Sequence, residues 1–148
     1  MATFGAEYRR LISMEVAMDP FPTDSDLRDL FGADPALLDP DLPWNRNVLS
    51  FESVIGPDTI ECVIEPSYQT LTLRWVRRDR ELVYLDLERV TGLEVDRYRG
   101  RGSLIVRFDP MASRGQVRIQ IRPAVHVTWV AGAKAPGTAE SAQSRLPL

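Results

Sequence analysis

The sequence predicts a mainly β fold of the α+β kind: a curled antiparallel sheet, or a partly open barrel, of about seven or eight short strands with one or two short N-terminal helices. Three observations predict it. From residue 48 onward apolar residues recur at every second position. The alternating runs are short and separated by turn residues. The only helix-like spacing lies in the first third of the chain.

Taken in order, residues 4–16 fit two patterns. Phe4, Tyr8, Leu11 and Ile12 share a helical face, while Ile12, Met14 and Val16 alternate like a strand. The reading leans to a helix that gives way to extended chain before Asp19-Pro20. In "PTDSDLRDLFG", Thr23 or Ser25 can cap a short helix, Leu27, Leu30 and Phe31 form its apolar face, and Gly32 is placed to end it. Asp24, Asp26 and Asp29 suit the positive end of the helix dipole. Pro35, Pro40 and Pro43 then forbid long regular structure, which makes residues 33–45 an irregular strap.

Strands follow at Val48–Val54 and, after Gly56-Pro57-Asp58, at Thr59–Glu65, where Ile60, Cys62 and Ile64 share a face. Leu71, Leu73 and Trp75 alternate with Thr72, Arg74 and Val76. Beyond the turn "RDRE" (78–81), Val83, Leu85 and Leu87 oppose Tyr84 and Asp86. Residues Glu88–Gly92 read as a connector. Leu93 and Val95 climb one arm of a hairpin, and Leu104, Val106 and Phe108 descend the other. Its tip is Gly-Arg-Gly, and Gly100 and Gly102 are expected to supply the positive φ of a tight turn. Val117, Ile119 and Ile121 form another strand, and Val125–Val130 a last short one. Strict alternation requires one buried face and one wet face.

At 148 residues the expected organisation is one domain over residues 1–130, with a helical and irregular lead-in to residue 45 and a sheet from 46. The tail, residues 131–148, is small, polar and aperiodic, and is expected to be disordered. A single cysteine, Cys62, excludes an intramolecular disulfide framework. No apolar run approaches the ~20 residues that span a bilayer, and Glu7, Arg9 and Arg10 interrupt any signal-peptide core. A cytoplasmic address with no membrane partner is the expectation.

The net charge of −3 is unevenly spread. Residues 1–70 carry 4 basic and 13 acidic side chains, while residues 71–148 carry 14 basic and 8 acidic. Separate acidic and basic surfaces follow unless folding pairs the two halves.

Chemistry is sparse. Cys62 shares the phase of Ile60 and Ile64, the position of a core residue rather than an activated thiolate. His126, the only histidine, alternates opposite Val125, Val127 and Trp129, so a Cys62–His126 dyad has no support. One cysteine and one histidine exclude the usual zinc sets, and "DSDLRD" lacks the glycine and final glutamate of a calcium loop. No catalytic residue, metal or cofactor is assigned.

Two surfaces remain. The strap "DPALLDPDLPW" joins Asp34, Asp39 and Asp41 to Leu37, Leu38, Leu42 and Trp44, a mixture suited to a basic protein partner. Alternatively, its leucines and Trp44 simply pin it to the sheet. Glu61 and Glu65, on the wet phase of their strand, would extend the acidic surface. The second surface is an arginine-bearing sheet face with Arg74, Arg107, Arg118 and Arg122, near Tyr84 and Gln120 if the strands pair in order. Glu61, Glu65, Asp86, Glu94 and Asp96 occupy the same phase, so cross-strand ion pairs are the competing use of those arginines.

The order "LRDLFGADPALLD" (27–39), followed by a meander that includes "LTLRWV", "LERVTGLEV" and "GSLIVRF", resembles immunity proteins of bacterial polymorphic-toxin systems over about residues 27–108. The resemblance implies a stoichiometric, non-enzymatic inhibitor that occludes a cognate toxin, acting as a monomer or homodimer. It carries over no individual functional residue. The alternatives are a nucleic-acid-binding module using the arginine face, disfavoured by the net negative charge, and an accessory subunit of a larger assembly.

Overall fold

The alternation from residue 48 resolves into two antiparallel sheets. The computed structural model describes residues 18–110 and 115–130, so the readings of residues 4–16 and 131–148 lie outside the described residues. The first sheet runs β1 (Ala36–Leu37), β2 (Leu49–Ile55), β3 (Asp58–Glu65), β4 (Thr70–Arg77), β5 (Arg80–Leu87). The second runs β6 (Val90–Tyr98), β7 (Arg101–Phe108), β8 (Gln116–Arg122), β9 (His126–Val130). Within each sheet every strand pairs with its neighbours in sequence, β5 and β6 alone staying unpaired with each other, and the sheets do not close into a barrel. The mainly β, antiparallel class expected from the sequence is observed.

Registers explain the sorting of side chains. Leu49, Ile64, Leu71 and Leu87 form one row across the first sheet, and Ser53, Ile60, Trp75 and Val83 another. On the second sheet Leu93, Val106, Val117 and Trp129 align, as do Val95, Leu104, Ile119 and Val127. Buried side chains from both sheets belong to one core cluster. Each fully buried one contributes about 1.5–3 kcal/mol, and a slip by one residue would turn a whole row to water.

The break between the sheets falls where the sequence reading placed a longer connector. Only Glu88 and Arg89 join β5 to β6, and strand resumes at Val90 rather than beyond Gly92. Arg89 adopts the left-handed conformation, φ 60°. This turns the chain away from β5, and the Val90 N–H donates to the Gln69 carbonyl at 2.9 Å.

The N-terminal helix, α1 (Asp24–Phe31), forms as its caps dictate. The Thr23 hydroxyl accepts from the Asp26 N–H, and Gly32, at φ 66°, donates its N–H to the Arg28 carbonyl. Leu27, Leu30 and Phe31 are buried. Phe31 stacks on Phe51 of β2 with ring centroids 4.5 Å apart, and the Ser53 hydroxyl donates to the Phe31 carbonyl. On the other side Leu30 lies against Gly102 of β7, where a Cβ would come within 3.0 Å of it. The helix therefore ties both sheets together at one end.

Strand β7 departs from one-sided burial: residues 102–106 are all buried. It is flanked by β6 and β8, and its outward Ile105 borders a groove shared with Pro20, Phe21 and Pro22. That segment runs along β6, the Asp19 N–H donating to Thr91 and the Leu93 N–H donating to Pro20. The approach is close enough that a Cβ on Gly92 would lie 2.8 Å from the Pro20 ring.

Candidate functional site

The two ends of the molecule carry different chemistry. At one end lies the strap. Asn47, only 2% exposed, holds it from below. Its side-chain oxygen accepts from the N–H groups of Asp39 (3.1 Å) and Val48 (2.9 Å). Its amide donates to the carbonyls of Asp39 (2.6 Å) and Leu42 (3.3 Å). The Asp39 carboxylate accepts from the Asp41 N–H at 3.0 Å, closing a tight local turn. Trp44 is half-buried, donates to the Pro22 carbonyl at 3.4 Å and meets Phe51 edge-on. Ala36 and Leu37 pair with β2 as a two-residue edge strand inside the predicted irregular region.

Trp44 thus pins the strap, but the leucines do not. Leu37, Leu38 and Leu42 are exposed, Leu38 at 74%. Among the carboxylates, Asp34 is exposed beside Arg28 (2.7 Å) and Asp41 is exposed. Glu65 accepts from the Thr70 hydroxyl at 2.7 Å. It immediately precedes the short turn Pro66–Tyr68, which touches the turn Trp44–Arg46, so Glu65 adjoins the strap. Glu61 lies further along β3, opposite Arg74.

The other end is built from turns. The last turn of α1 reaches both Ser53, near the end of β2, and Gly102, near the start of β7. The Arg78 N–H donates to Pro57, which brings the β2–β3 and β4–β5 turns together. Here Asp58, 4% exposed, accepts from Arg77 at 2.7 and 3.2 Å and from the Trp75 indole at 2.9 Å. The Arg77 hydrogen bonds hold its carboxyl below the ordinary carboxylate value, against the opposing effect of burial. Read as a turn residue, Asp58 was missed. The available signal was its phase with Ile60, Cys62 and Ile64.

The β6–β7 tip is a two-residue turn between the paired Tyr98 and Arg101. Its positive φ values belong to Arg99 (52°) and Gly100 (79°), not to Gly100 and Gly102 as expected. Gly102 is instead the small residue that admits Leu30. Around the tip is an open groove of about 440 Å³ lined by Leu30, Arg97, Tyr98, Arg99, Arg101 and Arg122, among others.

The four arginines of the predicted basic face are not brought together. Arg74 sits on β4 in the first sheet, with Tyr84 opposite, and pairs with Glu81 (2.9 Å) and Glu61 (3.4 Å). Arg107 and Arg118 lie on the second sheet, paired with Glu94 and Asp96. Arg122 donates to the Asp29 and Leu30 carbonyls at the end of α1, where a cation complements the dipole. Arg97 reaches the Asp26 and Asp29 carboxylates, so folding does pair part of the acidic third with the basic half.

Cys62 is fully buried in the first sheet and its thiol is pushed up to about 12 by desolvation. His126 is exposed on β9 of the second sheet, so the two do not meet. Among the described residues no group of three or more His, Cys, Asp or Glu is placed to hold a metal, and no helix is long and apolar enough to cross a membrane.

Neither a protein-family model nor a curated protein sequence matches the chain. Among solved structures, the fold matches a chain of a contact-dependent growth inhibition toxin–immunity protein complex from Klebsiella pneumoniae 342. The TM-score is 0.65 at 9% identity, over 78% of this chain and 98% of that one. At that identity the likeness is one of fold.

Proposed function

We propose that this protein is a non-enzymatic, immunity-type inhibitor that binds a cognate bacterial toxin in the cytoplasm and blocks it. Its toxin-facing surface is the strap with Asp34, Asp39, Asp41 and Trp44, extended by Glu65 and Glu61. The observation that carries this reading is that three leucines, Leu37, Leu38 and Leu42, are exposed on a segment that Asn47 and Trp44 hold in place. A fixed segment has already lost the loop freedom that binding would otherwise cost. Exposed leucines offer apolar contact to a partner, and the carboxylates along the same segment would steer a basic toxin. Fold likeness to a chain of a toxin–immunity complex supports the same reading. The arginine-face alternative draws less support, because Arg74, Arg107 and Arg118 are each neutralised by a carboxylate.

The test is co-expression with the toxin domain encoded by the adjacent gene, followed by titration calorimetry of the purified pair. Wild-type protein is expected to rescue growth and form a 1:1 complex. The double variant Leu38→Ser, Leu42→Ser is expected to keep stability within about 0.5 kcal/mol, as exposed substitutions do, while losing rescue. Failure of the wild-type protein to bind or protect overturns the proposal.

A further inference from the structure

Three open grooves carry arginines: about 450 Å³ on the outer face of the second sheet, about 440 Å³ at the β6–β7 tip, and about 390 Å³ at the β4–β5 turn. The lining of the last, Arg77, Arg78, Arg80 and Leu82, holds no ring for a base to stack on. The first two are of similar volume. They differ in what the fold has done with the charge. In the first, Arg107 and Arg118 are held by Glu94 and Asp96. In the second, Arg97 and Arg122 are fixed against α1, but Arg99 and Arg101 are exposed and have no carboxylate partner among the described residues. Among the described residues the groove's only carboxylate is Asp29, already engaged by Arg97.

From this we infer a second binding site, for single-stranded nucleic acid, at the β6–β7 tip, with Arg99 and Arg101 taking backbone phosphates and Tyr98 stacking a base. This goes beyond the toxin-binding reading and stands or falls separately from it. Three observations converge. Tyr98 is 61% exposed, and the Arg99 guanidinium lies over its ring, 5.1 Å from the centroid. A ring beside cations is the platform that single strands use, each stacked base being worth about 1–3 kcal/mol. Next, Arg99 occupies a left-handed position, φ 52°, where glycine or asparagine is the comfortable choice. The turn leaves the Arg99 side chain exposed at the hairpin tip beside Tyr98. Finally, the tip is held in position: Leu30 packs on Gly102, and Arg122 and Arg97 clamp α1 beside it. The free cations are thus presented by a braced hairpin.

Nucleic acid fits better than a simple anion or a lipid surface. A lone phosphate makes no use of Tyr98, and the groove offers no apolar cluster for acyl chains, Leu30 being buried.

The experiment is fluorescence anisotropy of the full chain with labelled 20-mer oligo-dT and oligo-U, repeated with inorganic phosphate as competitor and with phosphatidylserine vesicles. Binding at 50 mM salt is expected, falling as salt rises. In the double variant Arg99→Asn, Arg101→Ser, affinity is expected to drop about tenfold, and the slope of log affinity against log salt to shrink by about 1.4, the share of two phosphate contacts. Asparagine favours the left-handed turn, so this variant keeps the hairpin. Tyr98→Leu is expected to weaken both oligonucleotides while leaving the salt slope unchanged. The strap variant Leu38→Ser, Leu42→Ser is expected to bind like wild type, which separates this site from the toxin surface. No binding at 50 mM salt overturns the inference. So does binding insensitive to the tip variants, capture by vesicles alone, or competition by millimolar phosphate to the extent that a single-anion site would show.

Discussion

The strap end and the turn end of this molecule use charge in opposite ways. At the strap, the carboxylates make only local contacts, Asp34 with Arg28 and Asp39 with the Asp41 N–H, and a neutral side chain, Asn47, provides the tether. At the turns, charged groups are the structural elements: Asp58 binds Arg77 and Trp75, and Arg122 closes the end of α1. The contrast teaches that a charged residue reports on function only after the fold's own demand for it has been met. By that criterion Asp41 at the strap, and Arg99 and Arg101 beside Tyr98 at the tip, are among the charges left over.

The comparison is most open to attack at Asn47. Replacing it with alanine removes four hydrogen bonds to partly buried backbone groups of the strap, each such bond being worth about 1 kcal/mol. A loss of about 3 kcal/mol is expected, seen as a lower urea midpoint at unchanged slope. A much smaller loss would mean that Trp44 and the β1–β2 pairing hold the strap without it.

Asp58→Asn comes next, with an expected cost of about 2 kcal/mol for a buried charged hydrogen-bonding group. Because the Asp58 carboxyl lies below its ordinary value of 3.8, the native state takes up that proton later than the unfolded chain. Its stabilisation is full above that ordinary value and is lost as pH falls through the lowered one. Wild-type midpoints should therefore fall on acidification below about pH 4, and the variant should lose less over the same range. Equal slopes for the two proteins would remove Asp58 from the account.

The smallest effect sharpens the comparison from the other side. Arg99→Asn alone is expected to raise stability by about 0.5 kcal/mol, through relief of the left-handed backbone, measured as a modest rise in melting temperature. A destabilisation instead would show that Arg99 serves the hairpin itself.

Much of this was legible because the physics was local. The caps of α1 at Thr23 and Gly32, the alternation of Ile60, Cys62 and Ile64, and the shared outward phase of the carboxylates and arginines that form cross-strand ion pairs all follow from spacing. The division into two sheets was not legible, since it turns on Arg89 adopting a conformation no motif announces. The separation of Arg74 from Arg107, Arg118 and Arg122 followed from that missed division. Asn47 carried no pattern at all: its value lies in four backbone groups that only the folded strap assembles. Gly102 was read as a turn glycine because its contact with Leu30 is distant in sequence. The strap was recognised as an acidic and apolar segment, but sequence could not say that Trp44 would turn inward and Leu38 outward.

The buried thiol of Cys62 has a practical consequence. It is the chain's single cysteine, it sits in the core, and a thiol titrating near 12 is almost wholly protonated at neutral pH. A disulfide reagent can therefore attack only when the first sheet opens, because the thiolate is the reacting form. Its modification rate is a natural clock for transient unfolding, and any molecule that binds the closed first sheet but not the opened one must slow that clock.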